Sequence, residues 1–392
     1  MHQEEIRSQL ARYQSFLKQD ASNTNLIGEV SDLHLKLGEC GQARKILEDG
    51  LSTSPNAPAL LSRLALVAIA SNNIDEAITI LQKLTQTGTD NSIIRYNLAY
   101  AFMLQGRAAE ARDLLLAIVN PDENQAQIEL RAVPEARLLL ARAHHFLGEM
   151  DDAIKQAKLH LAAHPQDPEA LGILALLNLD NNDLEAAKEI AEQTLAVDAD
   201  NLGGLVTLGS LALNRQDEED AKTYFNHAVA QHPKSGRAWS GMGLATMLSL
   251  DVKDALIHFK HAVKHMPDHI GTWHSLGWCQ ILTNDLSGAK ESFNHAMALD
   301  RNFAETHGGL AVVAIGQNQL DIAPAMIKRA LKLNPMSFAG RFAEGLLSGK
   351  GEPKKFEEMI HTILASPAPT TGDETLKDVL IRVASKNKNK LK

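Results

Sequence analysis

The sequence is short of the residues that disulfide-stapled, metal-dependent and membrane-spanning proteins need. It has two cysteines in 392 residues, too few for a disulfide framework or a cysteine zinc site. Its longest wholly apolar run, residues 64–70, is far too short to cross a bilayer. Aromatic residues make up only 4% of the chain, as expected where helices pack through alanine and leucine. We therefore expect no bound metal and no membrane insertion.

An excess of positive charge is also missing. The net charge is −9, and the only basic stretch is a short tail ending at Lys392, which argues against a nucleic-acid partner. Residues 1–5 are polar and acidic, unlike the basic and apolar start of a signal peptide. The sequence predicts a cytoplasmic protein.

Catalytic motifs are absent as well. There is no HExxH, GxSxG or phosphate-loop pattern. The nearest approach, Ser348 to Gly351, lacks the upstream glycine and the following Ser or Thr, so we interpret it as a turn. We expect no cofactor and no enzymatic activity.

The sequence does contain a regular internal repeat. An alanine recurs at intervals of 34 residues, with one interval of 42. The nine are Ala43, Ala77, Ala111, Ala153, Ala187, Ala221, Ala255, Ala289 and Ala323. A period of this length is typical of a solenoid, in which each unit contacts its neighbours.

Two further positions of the repeat carry structural information when the alanine is numbered 20. Position 8 is always small: Ser31, Ala65, Ala99, Ala141, Ala175, Gly209, Gly243, Gly277 and Ala311. Position 15 is Gly or Asn in seven repeats, which predicts a helix-ending turn there. Gln216 and Leu250 occupy it in the other two, so those turns either have another geometry or carry strain.

The pattern resembles the tetratricopeptide repeat family. The eighth repeat has Trp273, Leu276 and Gly277, then Gly288–Ala289, Phe293 and Ala296, close to the family consensus. The resemblance covers about residues 24–337. It implies an all-α fold, a right-handed α-solenoid superhelix of antiparallel helix pairs.

The repeat register also predicts the domain organisation. We expect an N-terminal capping half-repeat at 1–23, repeats one to three at 24–125, an insert or loop at 126–133 and repeats four to nine at 134–337. Capping helices should follow at 338–365. A linker, a short helix and a basic tail should occupy 366–392. The insert is either a longer loop or a hinge.

Histidines form a second, weaker pattern. His227, His261 and His295 recur at position 26, and His258, His261 and His265 share one helix face, with His269 following. Residues four apart on a helix can ligate a metal. However, position 26 is expected to face solvent, and the repeats look like drifted duplicates. We therefore favour an inherited feature over a metal site.

The family resemblance implies that positions 2, 5, 9 and 12 of each first helix line a concave face. The lysine and asparagine set with which some relatives clamp a C-terminal carboxylate is missing, apart from Asn97 and Arg142 as fragments. The lining is instead strongly apolar, which favours a binding surface over self-packing. The predicted partner-binding residues are Tyr96, Asn97, Tyr100, Met103, Leu138, Arg142, Leu176, Leu244, Met247, His274 and Trp278. The same strip includes Leu213, Val312 and Ile315.

These observations predict a non-catalytic scaffold or adaptor that holds an amphipathic or extended segment of a partner polypeptide in an apolar groove. Trp278 is the strongest single candidate for an anchor. The alternative is a self-regulated or homo-oligomeric repeat protein, in which the C-terminal tail or the end helices occupy the binding surface.

Overall fold

The computed structural model describes residues 3–88, 91–120 and 132–349, and every regular element in them is an α-helix. The chain divides into two compact units, Met1–Leu177 and Asn178–Lys392. Within each unit the helices pack as successive antiparallel pairs, each against its neighbours in sequence. The predicted all-α solenoid of helix pairs is confirmed.

Ten helices start in the described part of the first unit, and the last of them runs across the division. They are α1 (Gln3–Leu17), α2 (Thr24–Lys36), α3 (Cys40–Thr53), α4 (Pro58–Ala70), α5 (Ile74–Gln86), α6 (Ser92–Leu104), α7 (Ala108–Val119), α8 (Ala136–Phe146), α9 (Met150–Ala163) and α10 (Pro168–Asp180).

Ten further helices lie in the described part of the second unit. They are α11 (Leu184–Val197), α12 (Leu202–Asn214), α13 (Glu218–Gln231), α14 (Gly236–Leu248), α15 (Val252–His265), α16 (Ile270–Leu282), α17 (Leu286–Leu299), α18 (Ala304–Gly316), α19 (Ala323–Leu333) and α20 (Phe338–Gly349).

The periodic alanines lie where the two helices of a pair touch. All nine have no solvent-exposed surface. The side chains at position 8, on the facing helix, are also fully buried wherever they are Ser or Ala. A larger residue at either place would overpack the contact at a cost of about 1–3 kcal/mol. The period therefore records the closest approach of each helix pair.

Glycine at position 8 is matched to a large partner at position 24. A Cβ added to Gly277 would lie 2.9 Å from the Phe293 ring, closer than real side chains approach. The same contact occurs between Gly209 and Phe225 and between Gly243 and Phe259. The other six repeats combine Ser or Ala at position 8 with Leu, Ala or Ile at position 24. The side chains at positions 8 and 24 thus fill the same space between the two helices, and one must be small where the other is large.

The residue at position 15 ends the first helix of every repeat in the left-handed conformation. Its φ lies between 55° and 76° in all nine repeats. Gln216, with φ 55°, and Leu250, with φ 60°, follow the same path as the glycines and asparagines. The open question from the sequence is thereby settled, because these turns share the common geometry and hold a residue for which it is strained.

Each end of the described helices is covered by an additional helix. At the start, α1 buries Ile6 and Leu10 against Val30 and Leu33 of α2. At the other end, α20 packs on α18, and Val312 and Ile315 are buried beneath it. Those two residues are therefore not available on an open apolar strip.

Several predicted segments lie outside the described residues. They are most of the insert at 126–133, the capping segment beyond residue 349, the linker at 366–372, the helix at 376–383 and the basic tail.

Candidate functional site

The second unit contains an open groove of about 580 Å³ formed by the first helices of three consecutive repeats. It lies between the end of α10, the C-terminal half of α12 and one face of α14. Its lining is Leu179, Asn182, Leu184, Ser210, Leu213, Asn214, Arg237, Leu244, Met247 and Leu248. Most of these occupy positions 2, 9, 12 and 13 of their repeats, so the helical period places them on one side.

The groove is mainly apolar and accessible. Leu244 is 44% exposed, although a leucine of a packed helix is normally covered. Leu213 and Met247 are half-buried beside it. Because these side chains project from packed helices rather than loops, the apolar surface is preformed. Asn182, Ser210 and Asn214 add hydrogen-bonding groups.

One ion pair joins two of the groove-forming helices. Arg237, the second residue of α14, donates from Nη1 and Nη2 to both carboxylate oxygens of Asp180, at 3.2 and 2.6 Å. Asp180 is the last residue of α10. A cation at a helix N-terminus and an anion at a C-terminus both oppose the helix dipole. The pair offsets both penalties and keeps a guanidinium, 40% exposed, in the groove wall.

Arg237 is at position 2, which the repeat register places on the concave face, although it is not among the predicted contact residues. Asp180 lies outside the groove lining. The charge signs indicate the ion pair, because each residue has the wrong charge for its helix end.

Aspartates occur close in sequence to the groove lining. Asp183, Asp217 and Asp251 cap the second helices α11, α13 and α15, and each accepts a hydrogen bond from a backbone N–H of the first turn. Asp183 lies between the groove residues Asn182 and Leu184 in the sequence, and the other two follow Asn214 and Leu248 by three positions. The chain near this apolar groove is therefore acidic.

The first unit has its own groove, of about 440 Å³ and more polar. It is lined by Asp32, Pro58, Ala59, Ser62, Arg63, Leu66, Asn91, Ile93, Ile94 and Asn97. Arg63 donates from Nε to Asp32 at 3.0 Å. Its guanidinium lies across Gly28, where an added Cβ would come within 2.7 Å, so a larger residue there would displace the Arg63 side chain.

Asn97 is the most informative residue of this first groove. It is 9% exposed and belongs to the groove lining. Its side-chain amide can donate and accept at once, which matches the needs of a polypeptide backbone.

The other predicted contact residues of the first unit differ in their exposure to solvent. Tyr100 is exposed and Tyr96, Met103 and Leu176 are half-buried, but Leu138 is buried and leaves the candidate surface. Arg142 is exposed and pairs with Glu169 at 2.8 Å. Burial, then the charge of Glu135, raises the pKa of Tyr96, so its hydroxyl remains a hydrogen-bond donor.

In the second unit, His274 is an internal residue rather than a surface one. Its Nε2 lies 2.8 Å from the Thr306 hydroxyl, and its ring meets the edges of Phe293 and Phe303. Burial lowers the pKa of His274 to about 4. His274 therefore leaves the candidate surface as well.

Trp278 has a structural role that position 9 of the repeat does not suggest. Its ring is half-buried and packs edge to face against Phe293, Phe338 and Phe342 at centroid distances of 6.1 to 6.4 Å. The tryptophan thus joins α16 to α20. A loss of binding in Trp278→Ala would not separate an anchoring role from this packing role.

The histidines at position 26 also have partners. His261 stacks on Trp239 and His295 on Trp273, at centroid distances of 4.6 and 4.3 Å. His227 pairs with Asp200 at 2.7 Å. His261 and His295 are exposed, as predicted for position 26, and each packs on a tryptophan ring. In residues 3–88, 91–120 and 132–349, no group of three or more metal-ligating side chains is placed to hold an ion.

The tryptophans at position 4 belong to a repeated hydrogen bond. Trp239 and Trp273 donate from Nε1 to the carbonyls of Pro233 and Pro267, six residues earlier. His307 and Arg341 hydrogen-bond in the same way, through Nε2 and Nε, to the carbonyls of Arg301 and Pro335. Four successive repeats are thus tied to the carbonyl that ends the repeat before.

Two further properties bear on function. In the part of the chain that the structure describes, no helix has the length and apolar character to cross a membrane. Burial raises the pKa of the Cys279 thiol to about 11, so this cysteine stays protonated and is a poor nucleophile at neutral pH.

Comparison with solved structures supports the fold. Two structures of IFIT1 monomeric mutants, one with Gppp-AAAA and one with m7Gppp-AAAA, each match at a TM-score of 0.55 and 14% identity, over 86% of this chain and 89% of theirs. YrrB, described as a TPR protein with an unusual peptide-binding site, matches at 0.40 and 18%, over 48% of this chain and 97% of its own. At such identities the IFIT1 match shows the fold alone, and the YrrB score carries no argument.

Family comparison gives the identity. Tetratricopeptide repeat models match residues 34–92, 68–133, 134–177 and 270–303. No curated protein matches the chain. The 34-residue period, the paired helices and these matches together make the chain a tetratricopeptide repeat protein, an architecture that supports a protein-interaction scaffold.

Proposed function

We propose that this protein is a non-catalytic scaffold that binds a partner polypeptide through the groove of its second unit. The observation that carries the proposal is the exposure of Leu244 in a preformed apolar groove, with Leu213 and Met247 beside it. Exposed apolar surface of this kind marks an interaction site. An amphipathic helix can lay its apolar face there, with anchors three and four residues apart.

The chemistry of the lining supports binding rather than catalysis. The ten groove residues include no histidine, cysteine or lysine, and Arg237 is held by Asp180. The polar groups of the lining are amides, the Ser210 hydroxyl and one guanidinium, which can orient a ligand by hydrogen bonds. The net charge of −9 favours a polypeptide over nucleic acid.

The groove of the first unit supports the same class of ligand in extended form. The side-chain amide of Asn97 can pair with the N–H and C=O of one residue of an extended chain. The exposed side chain of Ile93 offers an apolar contact next to it.

The test is a selection of displayed random peptides on the full chain, followed by affinity measurement on variants. Peptides that bind should carry apolar residues at helical spacing. Leu244→Glu should weaken their binding by about 2 kcal/mol, roughly thirtyfold, because it puts a charge among the anchors.

The matched control is Ile257→Glu. Ile257 is 53% exposed on the second helix α15, outside the groove lining, so this variant should bind like the wild type. Equal affinities for Leu244→Glu and Ile257→Glu, with both variants folded by circular dichroism, would contradict the proposal. Selected peptides that all prefer dimeric protein would favour homo-oligomerisation instead.

A further inference from the structure

We propose that the groove of the second unit is the docking site for a segment of the chain's own C-terminal part, residues 376–383. This inference rests on the proposed function, because it assigns an occupant to the same groove. It makes the scaffold self-occluding, so that a partner must displace the segment.

The apolar pattern of the segment fits the groove. Leu376, Val379, Leu380 and Val383 are spaced i, i+3, i+4 and i+7, the pattern of one helix face. Such a stripe is about 10 Å long at 1.5 Å per residue. The groove spans three helix positions, roughly 16–20 Å at the usual spacing of packed helices. Two helical turns therefore fit over Leu213, Leu244 and Met247.

The charges of the two parts are opposite. Residues 350–392 contain nine Lys or Arg against six Asp or Glu, a charge of +3, whereas residues 1–349 carry −12 and so bring the chain to −9. The positive charge is concentrated immediately after the apolar stripe, at Lys386, Lys388, Lys390 and Lys392. Asp183, Asp217 and Asp251 lie one to three residues along the chain from groove residues. Binding of the stripe brings the lysines towards the net negative charge of residues 1–349.

The length of the connection permits the docking. The described helices end at Gly349 in α20, three repeats beyond α14. Three repeats of packed helices span roughly 30 Å. The predicted linker and the residues up to the stripe, 366–375, reach roughly 33–36 Å when extended, at 3.3–3.6 Å per residue. This exceeds the distance to be covered, so the segment can reach the groove of its own chain.

The first experiment is photocrosslinking within the full chain. Leu380→p-benzoylphenylalanine places a photoreactive group on the apolar stripe, and irradiation should join it to peptides that contain Leu213, Leu244 or Met247. Ser385→p-benzoylphenylalanine is the matched control on the opposite helix face and should give about fivefold less of this product. The product should also disappear in the Leu244→Glu background.

Three results would overturn the inference. One is crosslinking to residues outside the groove, and another is equal yield from positions 380 and 385. The third is a product that forms between two copies in proportion to protein concentration, which would assign the groove to a second molecule.

The second experiment measures competition with a defined probe. A fluorescein-labelled synthetic peptide of residues 373–392 is titrated into full-length wild type and into Leu376→Glu/Leu380→Glu, whose own segment cannot dock. The double variant should bind the peptide about tenfold more tightly, since its groove is vacant. Ser385→Gln, which adds no charge beside the lysines, should behave like wild type. Equal affinity of wild type and double variant would contradict self-occlusion.

The two proposals can fail separately. If displayed peptides bind through Leu244 but position 380 does not crosslink to the groove, the scaffold function stands and the self-docking is wrong. If position 380 crosslinks but no displayed peptide binds even the double variant, the groove is an internal docking site and the partner-binding proposal is wrong.

Discussion

Some residues of this chain have a backbone conformation or an ionisation state that is unfavourable for their amino-acid type. Leu250 is the clearest backbone case. It is 52% exposed and stands in the left-handed conformation, where Cβ collides with the neighbouring carbonyl. Three other repeats have glycine at this place, with nothing within 4 Å of an added Cβ, so the turns themselves are open. The strain is therefore local to the residue.

Leu250→Gly should stabilise the protein by about 1 kcal/mol, since relief of the left-handed strain outweighs the entropy that glycine adds to the unfolded chain. The measurement is the thermal midpoint of the variant against wild type. Ile257→Gly, at an exposed helix-interior residue of the next helix, should lower stability by a similar amount. A lower midpoint for Leu250→Gly would show that the turn is not strained.

His274 is the clearest ionisation case. Burial lowers the pKa of His274 to about 4 in the folded protein, whereas the same side chain in the unfolded chain has a pKa near 6.5. The folded protein therefore becomes protonated at this residue only at a lower pH. The stability that this provides is complete above pH 6.5 and is lost as the pH falls towards 4. Between pH 7.5 and pH 5 the loss should be about 2 kcal/mol.

The measurement for this residue is urea unfolding at both pH values. His274→Gln keeps a hydrogen-bonding group for Thr306 but does not titrate, and it should lose about 2 kcal/mol less than wild type over the same interval. The remaining histidines are common to both proteins and cancel in the difference. The same pH dependence in both proteins would mean that His274 is solvated.

At the scale of the element, the unit of packing is a pair of positions on two helices. Gly277 and Phe293 divide one volume between α16 and α17, as Ala311 and Ile327 do in the next repeat. Neither position has one best side-chain size, because the size allowed at position 8 depends on the side chain at position 24, and the reverse.

Gly277→Ala should destabilise the protein by about 1–3 kcal/mol, because the new methyl group meets the Phe293 ring. Phe293→Leu should also destabilise, by leaving a cavity. In the double variant the two changes should compensate, with a coupling energy of about 1 kcal/mol or more in a double-mutant cycle. Strict additivity would show that the ring moves aside freely.

Most of the helix positions and of the contacts within a helix pair could be predicted from the sequence. The 34-residue period, the small residues at position 8 and the turn residues at position 15 locate the helix pairs, because each depends on local geometry. The match of Gly277 to Phe293 is visible in the same columns, since glycine at position 8 occurs only with phenylalanine at position 24.

The candidate site was less predictable, because exposure depends on which side chains fill the neighbouring space. Leu244 and Met247, at positions 9 and 12, lie in the groove, whereas Leu138 and His274, both at position 5, are buried. The covering of Trp278 by Phe338 and Phe342 depends on the path of α20 after the last repeat. The role of His261 and His295 could have been found from the tryptophan at position 4 of the same repeats.

For the whole molecule, contacts between sequence neighbours imply that stability is local. A change in one repeat should not alter the stability of a distant one, as it would in a globular domain. The two compact units, Met1–Leu177 and Asn178–Lys392, are large enough to show this difference.

Hydrogen exchange of Gly277→Ala should reveal this locality. Exchange should accelerate in α16, α17 and α18, which surround the mutated contact, and should be unchanged in α4, α5 and α6 of the first unit. The reciprocal variant is Ala65→Leu, which overpacks α4 against α5 and should show the opposite distribution. Uniform acceleration along the chain in both variants would indicate a single cooperative unit.

The large phenylalanines also limit how such a chain can grow. Phe293 needs a glycine in its own repeat and another in the next, since an added Cβ on Gly309 would come within 2.6 Å of its ring. Phe225 has the same relation to Gly241. Tandem duplication of a phenylalanine repeat is therefore tolerated only where the repeat that follows has a small residue at position 6. In the first unit that place holds Arg63, Asn97 and Leu139, so a copied phenylalanine repeat could not be inherited there without a second substitution.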